Sequence, residues 1–394
     1  MYQTTYQPNA RLHVADALRG IAIIGIILIH NLEHMNFYWF PETTNAWMIF
    51  FDKITWNGLF FVFAGKMYSI FALMFGLSFF IQNDNQMQQG KDFSLRFVWR
   101  MTLLLIFGVV NTFFYNGDIL FSFALYGMLM PLFARLSTKA VVFLTCFLLL
   151  QPIDIYQIIA ALFNPDYQLI DASSGKYFGL MKISQENGTF WECGWDSIKY
   201  GQLGTLTWNI ENGRTTQIPG LFLLGMFLGR LRLFYNEKNN LKTWLGILAI
   251  SLVVFFPIHG LYDLLPEHIS RKEILVPAKT LCHAWRNLAQ MFTYVSVLVL
   301  LFYSSQTANR LLMKLTILGR ASMTNYFLQS VLGAALYYGW GFALYRSGAT
   351  VSLLIGIGMV MVQYCFCHWW FKTHNHGPME GLWKKLTWIR WSKT

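Results

Sequence analysis

Long apolar runs separated by short polar stretches recur along almost the whole chain. They lie near residues 14–32, 58–81, 97–115, 119–134, 140–162, 216–231, 243–261, 282–303, 322–345 and 349–371. Most are long enough to cross ~30 Å of hydrocarbon as helices; those at 119–134 and 216–231 are short. Residues 163–215 break the pattern. They are rich in Gly, Asn, Asp and Trp and too long for a hairpin loop, so they predict a small cap outside the membrane. The pattern therefore predicts an all-α, polytopic transmembrane helix bundle of about ten spans. It forms one domain over 1–394, with the 163–215 cap between spans five and six and an interfacial tail at 372–394.

Composition supports this reading. Hydrophobic residues make up 55% of the chain and charged residues 12%, and the mean hydropathy is +0.40. A soluble domain carries roughly 25% charge, and at half that level it could not cover its own core. The 35 Phe and 15 Trp suit lipid-facing surface and headgroup anchoring.

The net charge of +11 is spread beside the apolar runs rather than gathered in one basic stretch. That excludes a nucleic-acid partner and reads as topology. With an inside N-terminus, 19 Lys and Arg fall on one face and nine on the other. Both termini are then expected in the cytoplasm and the cap outside. The first ten residues are polar, with no basic stretch or small-residue cleavage site, so the first run is expected to remain as a span. The two five-span halves show no internal repeat.

The five cysteines form no zinc pattern. Cys365-x-Cys367-His368 is too compressed for the usual ligand spacing and reads as core packing. Cys193 and Cys282 fall on the same outer side, where a disulfide is allowed.

The first run carries the most chemistry. Arg19 and His30 are eleven positions apart, which places them on one helix face, roughly 16 Å apart along the axis. Glu33 and His34 follow at helical spacing and extend that polar face. Asp16, three residues before Arg19, is placed to neutralise it. His30-x-x-x-His34 has metal-ligand spacing but no third ligand, so no metal is expected.

Several motifs carry a resemblance. Arg19-Gly20-Ile21-Ala22 followed by His30 is similar to the first-helix signature of the acyltransferase-3 membrane enzymes. The stretches Gly65–Gly76, Arg96–Gly127, Gly319–Ser330 and Gly377–Trp383 occur in the order found in YeiB-like bacterial membrane proteins, a group without an assigned reaction. The chain thus resembles the YeiB-like family over nearly its full length. That family is placed in a transmembrane acyltransferase superfamily that includes heparan glucosaminide acetyltransferase. Two positions depart from the family pattern. Asn111 stands where a histidine is usual, and His30 where an asparagine is common.

The resemblance implies transfer of an acyl group, acetyl in the first instance, from cytoplasmic acyl-CoA to an acceptor approaching from the membrane or outer side. Arg19, Arg96, Arg100 and Arg320 are the expected contacts for the donor's phosphates. His30 is the expected general base, with Glu33 beside it. Asp118 either caps the fourth span or orients His30 and binds the acceptor. The expected partners are membrane lipids and a small-molecule or glycan acceptor; a homodimer is left open. The expected location is the bacterial inner membrane. The alternative is a transporter of a small polar or lipid-like solute. A scaffold or sensor acting through the cap is the third reading.

Four further features carry expectations. Lys66 either lies in mid-membrane or, as the favoured reading has it, starts the second span and snorkels to the outer interface, leaving 58–64 interfacial. His259 with Asp263 and His283 with Arg286 either line an outer vestibule or are ordinary interfacial residues. Asn325 and Gln329 are expected to bond between helices. Trp383, Trp388 and Trp391 among basic residues predict a tail lying on the membrane surface.

Overall fold

The computed structural model describes residues 11–38, 43, 45–169 and 173–389. The first ten residues and 390–394, with Trp391 of the predicted tail, lie outside them. Among the described residues the chain is helical, without strands.

The helices run in order as α1 (His13–Leu32), α2 (Ala46–Phe63), α3 (Met67–Met87), α4 (Ser94–Thr112), α5 (Leu120–Gly127) and α6 (Met130–Ala134). Then come α7 (Thr138–Leu149), α8 (Pro152–Phe163), α9 (Ser174–Asn187), α10 (Phe190–Asp196) and α11 (Gln202–Glu211). After these follow α12 (Arg214–Arg230), α13 (Lys238–His268), α14 (Lys272–Ser304), α15 (Gln306–Arg320), α16 (Ser322–Tyr337), α17 (Ala349–Trp370) and α18 (Pro378–Thr387).

Six helical stretches are long and apolar enough to cross a membrane: α1, the α2–α3 rod, α4, most of α13, α14 and α17. The bent pair α7–α8 makes a seventh if counted as one span. The other three predicted runs are helical but shorter. Residues 119–134 break into α5 and α6, with Pro131 at the start of the second. α12 has 17 residues and α16 has 16.

Burial separates the centre of the bundle from its rim. α1 is 72% buried over its apolar window and α13 only 17%. α1 packs against α2, α3, α14, α15, α16 and α17. α13 sits at the rim and packs on α14, which also contacts α8, α15, α3 and α1. The cap region folds as α9–α11 with a π-helical turn at Ser197–Gly201.

Breaks in the long rods fall where the backbone chemistry demands them. Gly65 sits at φ +78°, a left-handed conformation that a side chain disfavours. It separates α2 from α3. Gln151 is left-handed at φ 61° ahead of Pro152, and α8 leaves α7 at 51°. Small residues set the closest contacts, as is common between membrane helices. Gly20 of α1 lies against the Leu315 carbonyl and Gly319 of α15 against the Asp16 carbonyl. Gly76 of α3 and Gly225 of α12 meet each other's helix backbones in the same way.

The segment 58–64 is helical through Phe63. It completes α2, and Lys66 is buried at the α2–α3 break with 2% exposure. Its ammonium donates to the Phe60 carbonyl at 3.4 Å. The reason is local: hydropathy does not reveal a helix break that Gly65 makes and neighbouring helices cover.

The tail is fastened to the bundle by hydrogen bonds. The Glu380 carboxylate accepts the Met323 and Thr324 amides at 2.7 and 3.1 Å and the Thr324 hydroxyl at 2.6 Å. It thereby caps the N-terminus of α16, where α-helices carry unpaired N–H groups. Burial raises the Glu380 carboxyl above its ordinary pKa, and the Thr324 hydrogen bond partly offsets this. The indole of Trp383 donates to the Arg100 carbonyl and that of Trp99 to the Leu386 carbonyl. Glu380→Ala is therefore expected to destabilise the fold by about 1–2 kcal/mol, the range for a lost cap. A lowered melting temperature in detergent, with Glu380→Gln intermediate, checks this; equal melting of all three proteins would contradict the capping role.

Cys193 and Cys282 are both free. They are buried in separate apolar clusters, so the allowed disulfide does not form.

Candidate functional site

Three cavities have α1 residues in their walls. The first has a volume of about 260 Å³ and is lined by Arg19, Ser78, Arg100, Arg320, Tyr326 and Trp383, among others. A neighbouring cavity of about 560 Å³ shares Arg11, Asp16, Arg19, Ser78 and Gln82 with it.

Asp16 sits among these cations. Arg19 bridges it at 2.8 Å, and Arg11 bonds its other oxygen. Arg19 also donates to the Ser78 hydroxyl. Arg100 lies 3.6 Å above the Trp383 ring, and Arg320 lies 4.1 Å from the Phe371 ring and donates to the Asn375 carbonyl. Among the described residues neither Arg100 nor Arg320 forms an ion pair. Glu380, which also lines the cavity, is committed to the α16 amides. The local balance is therefore cationic.

Arg96 is not part of this lining. Its guanidinium donates to the Thr387 and Ile389 carbonyls at 2.9 and 3.2 Å, and so fastens the tail. Three of the four expected arginines thus come together, and Arg96 stands apart because its place on α4 faces α18.

The third cavity, about 420 Å³, is lined by His30, Glu33, Tyr115, Arg214, His283 and Tyr326, among others. The His30 ring centroid lies 4.6 Å from that of Tyr115 and 6.2 Å from that of Tyr326. Its Nδ1 is buried and has no hydrogen-bond partner among the described residues. Glu33 lies just past the end of α1. Burial raises its carboxyl to about 7, with the Tyr38 hydrogen bond pulling the other way.

Tyr326 belongs to both linings. Its hydroxyl accepts the Ile119 amide at 3.3 Å and is hydrogen-bonded to Asp118. Asp118 also accepts the Asn111 amide group at 2.9 Å and the Phe121 backbone N–H at 3.0 Å. Asp118 therefore caps the turn into α5 and does not orient His30. It reaches the site through Tyr326. Asn111 serves as a hydrogen-bond donor to this carboxylate.

His34 does not extend the polar face. Its backbone is left-handed at φ 50°. The ring stacks on Tyr337 at 4.9 Å, with Nε2 at 2.8 Å from the Ser352 hydroxyl. The helical register expected from residue 30 to 34 ends at Leu32, which turns His34 away. Among the described residues no group of His, Cys, Asp and Glu could hold a metal ion.

Of the outer pairs, His283 lines the cavity and is 3.1 Å from Arg286, whereas His259 pairs with Asp263 at 3.6 Å outside the lining. Asn325 bonds the Leu318 carbonyl and accepts from the Cys367 thiol. Gln329 is fully buried, and its amide has no partner among the described residues.

Sequence reasoning missed Tyr326, Tyr115 and Arg214. Tyr326 lay within the Gly319–Ser330 motif, but tyrosines are common here and nothing local sets it apart. Arg214 looked like a topology cation beside an apolar run.

Residues 228–390 match the family model described as "Protein of unknown function (DUF418)". The uncharacterized protein YxaH of Bacillus subtilis (strain 168) is 27% identical, with 97% of this chain and 96% of that protein covered. An uncharacterized 39.9 kDa protein in the amylase 3' region of Bacillus acidopullulyticus is 24% identical, with 97% and 95% covered. The uncharacterized protein YeiB of Escherichia coli (strain K12) is 23% identical, with 94% and 95% covered. No solved structure matches the chain. The similarity to YeiB over nearly the whole length agrees with the likeness read from the motifs.

Proposed function

We propose that this chain is an integral membrane acyltransferase-like protein. It moves an acyl group, acetyl in the simplest case, from acyl-CoA at the Arg19 end to an acceptor in the His30 cavity. The observation that carries this reading is the shared wall. Tyr326 lines a cationic cavity on one side and the cavity holding His30 on the other. A donor with several phosphates needs cations at its mouth, and Arg19, Arg100 and Arg320 supply them. The axial distance from Arg19 to His30, roughly 16 Å by helical rise, matches an extended pantetheine arm.

The chemistry follows from what each residue offers. His30 takes the proton of an acceptor hydroxyl or amine as that atom bonds to the thioester carbonyl carbon. The carbon–sulfur bond breaks, and the proton passes to the departing thiolate. The products are an ester or amide and free CoA thiol. Tyr326, held by Asp118 and the Ile119 amide, positions the wall between donor and acceptor. Glu33 is a second proton acceptor on the same cavity.

In this reading the chain crosses a bacterial inner membrane about ten times, with both termini and the Arg19 cavity in the cytoplasm. The three short apolar runs, α5–α6, α12 and α16, then complete the count. The 163–215 cap faces outward over the His30 cavity. The relation to the transmembrane acyltransferase superfamily belongs to the same proposal.

Arg100→Ala tests the donor side more cleanly than Arg19→Ala, which would also leave Asp16 with one partner fewer. Arg100→Ala is expected to weaken CoA binding about tenfold, as the loss of a hydrogen bond to a charged group implies. Calorimetry on the purified protein in detergent measures it. Absence of CoA binding by the wild type, together with solute flux in proteoliposomes, would overturn the reading in favour of transport.

A further inference from the structure

The His30 cavity carries a second charge pattern that acyl transfer by itself does not call for. Arg214, the first residue of α12, lines it. Its guanidinium lies 3.6 Å above the Tyr68 ring and 5.3 Å from the Trp208 ring. Stacking fixes the plane of the group but leaves its N–H edges free. Among the described residues Arg214 has no ion-pair partner.

The surroundings add more positive charge. Lys66 is buried and close enough to Arg214 and Arg286 to feel both charges. Among the described residues its ammonium donates one long hydrogen bond, to the Phe60 carbonyl at 3.4 Å, and lies 5.8 Å from the Phe61 ring. His283 also lies within the field of Arg286, Arg214 and Lys66. When Arg286 donates to its Nδ1, the imidazole proton is placed on Nε2, making His283 a further donor on the cavity wall. The acidic residue in the same lining, Glu33, is hydrogen-bonded to Tyr38 and has no ion pair with the cluster.

Three like charges held close together under cover repel one another and are costly to desolvate. An anionic ligand relieves both penalties. A carboxylate brings one negative charge; a phosphate monoester brings nearly two and several acceptor oxygens that match a guanidinium fork.

We propose that the His30 cavity binds an acceptor carrying a phosphate group, held by Arg214 and His283 with Lys66 and Arg286 behind them. The acceptor presents a hydroxyl of the same molecule to His30. That last step rests on the acyltransferase reading; the phosphate site does not. A phosphorylated polyol satisfies both demands, either as a soluble ester or as the headgroup of an anionic lipid.

The test compares glycerol 3-phosphate with glycerol by calorimetry on the detergent-purified protein. In parallel, it compares melting in nanodiscs of phosphatidylglycerol with nanodiscs of phosphatidylcholine. No CoA is present, so the result is independent of whether the chain transfers acyl groups. Arg214→Gln is expected to weaken the anionic ligand at least about 30-fold, as loss of a buried charge partner implies. Arg214→Lys, which keeps the charge and loses the fork, is expected to fall between. Its melting temperature without ligand separates a lost site from a lost fold. Selective, Arg214-dependent binding of glycerol 3-phosphate supports a soluble ester. Selective, Arg214-dependent stabilisation by phosphatidylglycerol supports the lipid source of the same chemistry. If neither anion is preferred to its uncharged or zwitterionic counterpart, or if Arg214→Gln responds as the wild type does, the proposal is overturned.

Discussion

His30→Ala is expected to lower acyl-CoA turnover by about 100-fold or more, the usual span for a lost general base, while CoA affinity stays within about twofold. The asymmetry follows from position. The cations of the donor cavity lie at the other end of α1, about 16 Å from His30 by helical rise. Removing the imidazole therefore takes away the proton acceptor without touching the phosphate contacts. The ring packs beside Tyr115 and Tyr326, so its loss also leaves a small void. His30→Gln fills more of that space and is expected to be equally inactive, because it fills the site without a base. Release of free CoA thiol, measured against CoA binding on the same preparations, separates these effects. Turnover of His30→Ala within threefold of the wild type would remove His30 from the mechanism.

The second large effect is expected on stability. A Cβ added at Gly319 would lie 1.9 Å from the Asp16 carbonyl oxygen and 2.9 Å from the Gly20 nitrogen, both backbone atoms. Neither can swing aside as a side-chain end could, so α1 and α15 must separate. Gly319→Ala is expected to cost about 3 kcal/mol, the upper part of the overpacking range. CoA binding should fall with it, since Asp16 and Arg19 sit on the displaced turn of α1. Gly246 of α13 provides the contrast. It has open space where a Cβ would be, and Gly246→Ala is expected to be neutral or stabilising by up to about 1 kcal/mol through helix propensity. Melting in detergent decides between them. If the two variants melt alike, the glycine contact does not set the crossing of α1 and α15.

Much of the site's first helix could be read from the chain. The spacing of Arg19, His30 and Glu33 put them along one helix, and each lines a cavity in the structure. Local geometry failed at the next residue, His34. α1 ends at Leu32, and His34 turns to Ser352 on α17, a neighbour that no spacing rule identifies. Arg96 and Arg100 are one helical turn apart on α4 and looked equivalent. Only the docking of α18 separates them, giving Arg96 to the tail carbonyls and leaving Arg100 in the cavity.

Features that depend on a residue and its near neighbours were legible along the chain. Apolar runs make helices, low charge requires apolar surroundings, and Arg19 and His30 share a helix because eleven positions fix their relation. The tertiary structure decided what depends on residues far apart in the chain. It set Tyr326 between two cavities, gathered Lys66, Arg214, His283 and Arg286 into one field, and brought Glu380 to the N-terminus of α16. These arrangements arise from helix crossings, and a crossing is set by close packing between two surfaces. Gly20 against Leu315 and Gly319 against Asp16 meet across about 300 positions of chain, a relation that local periodicity does not encode.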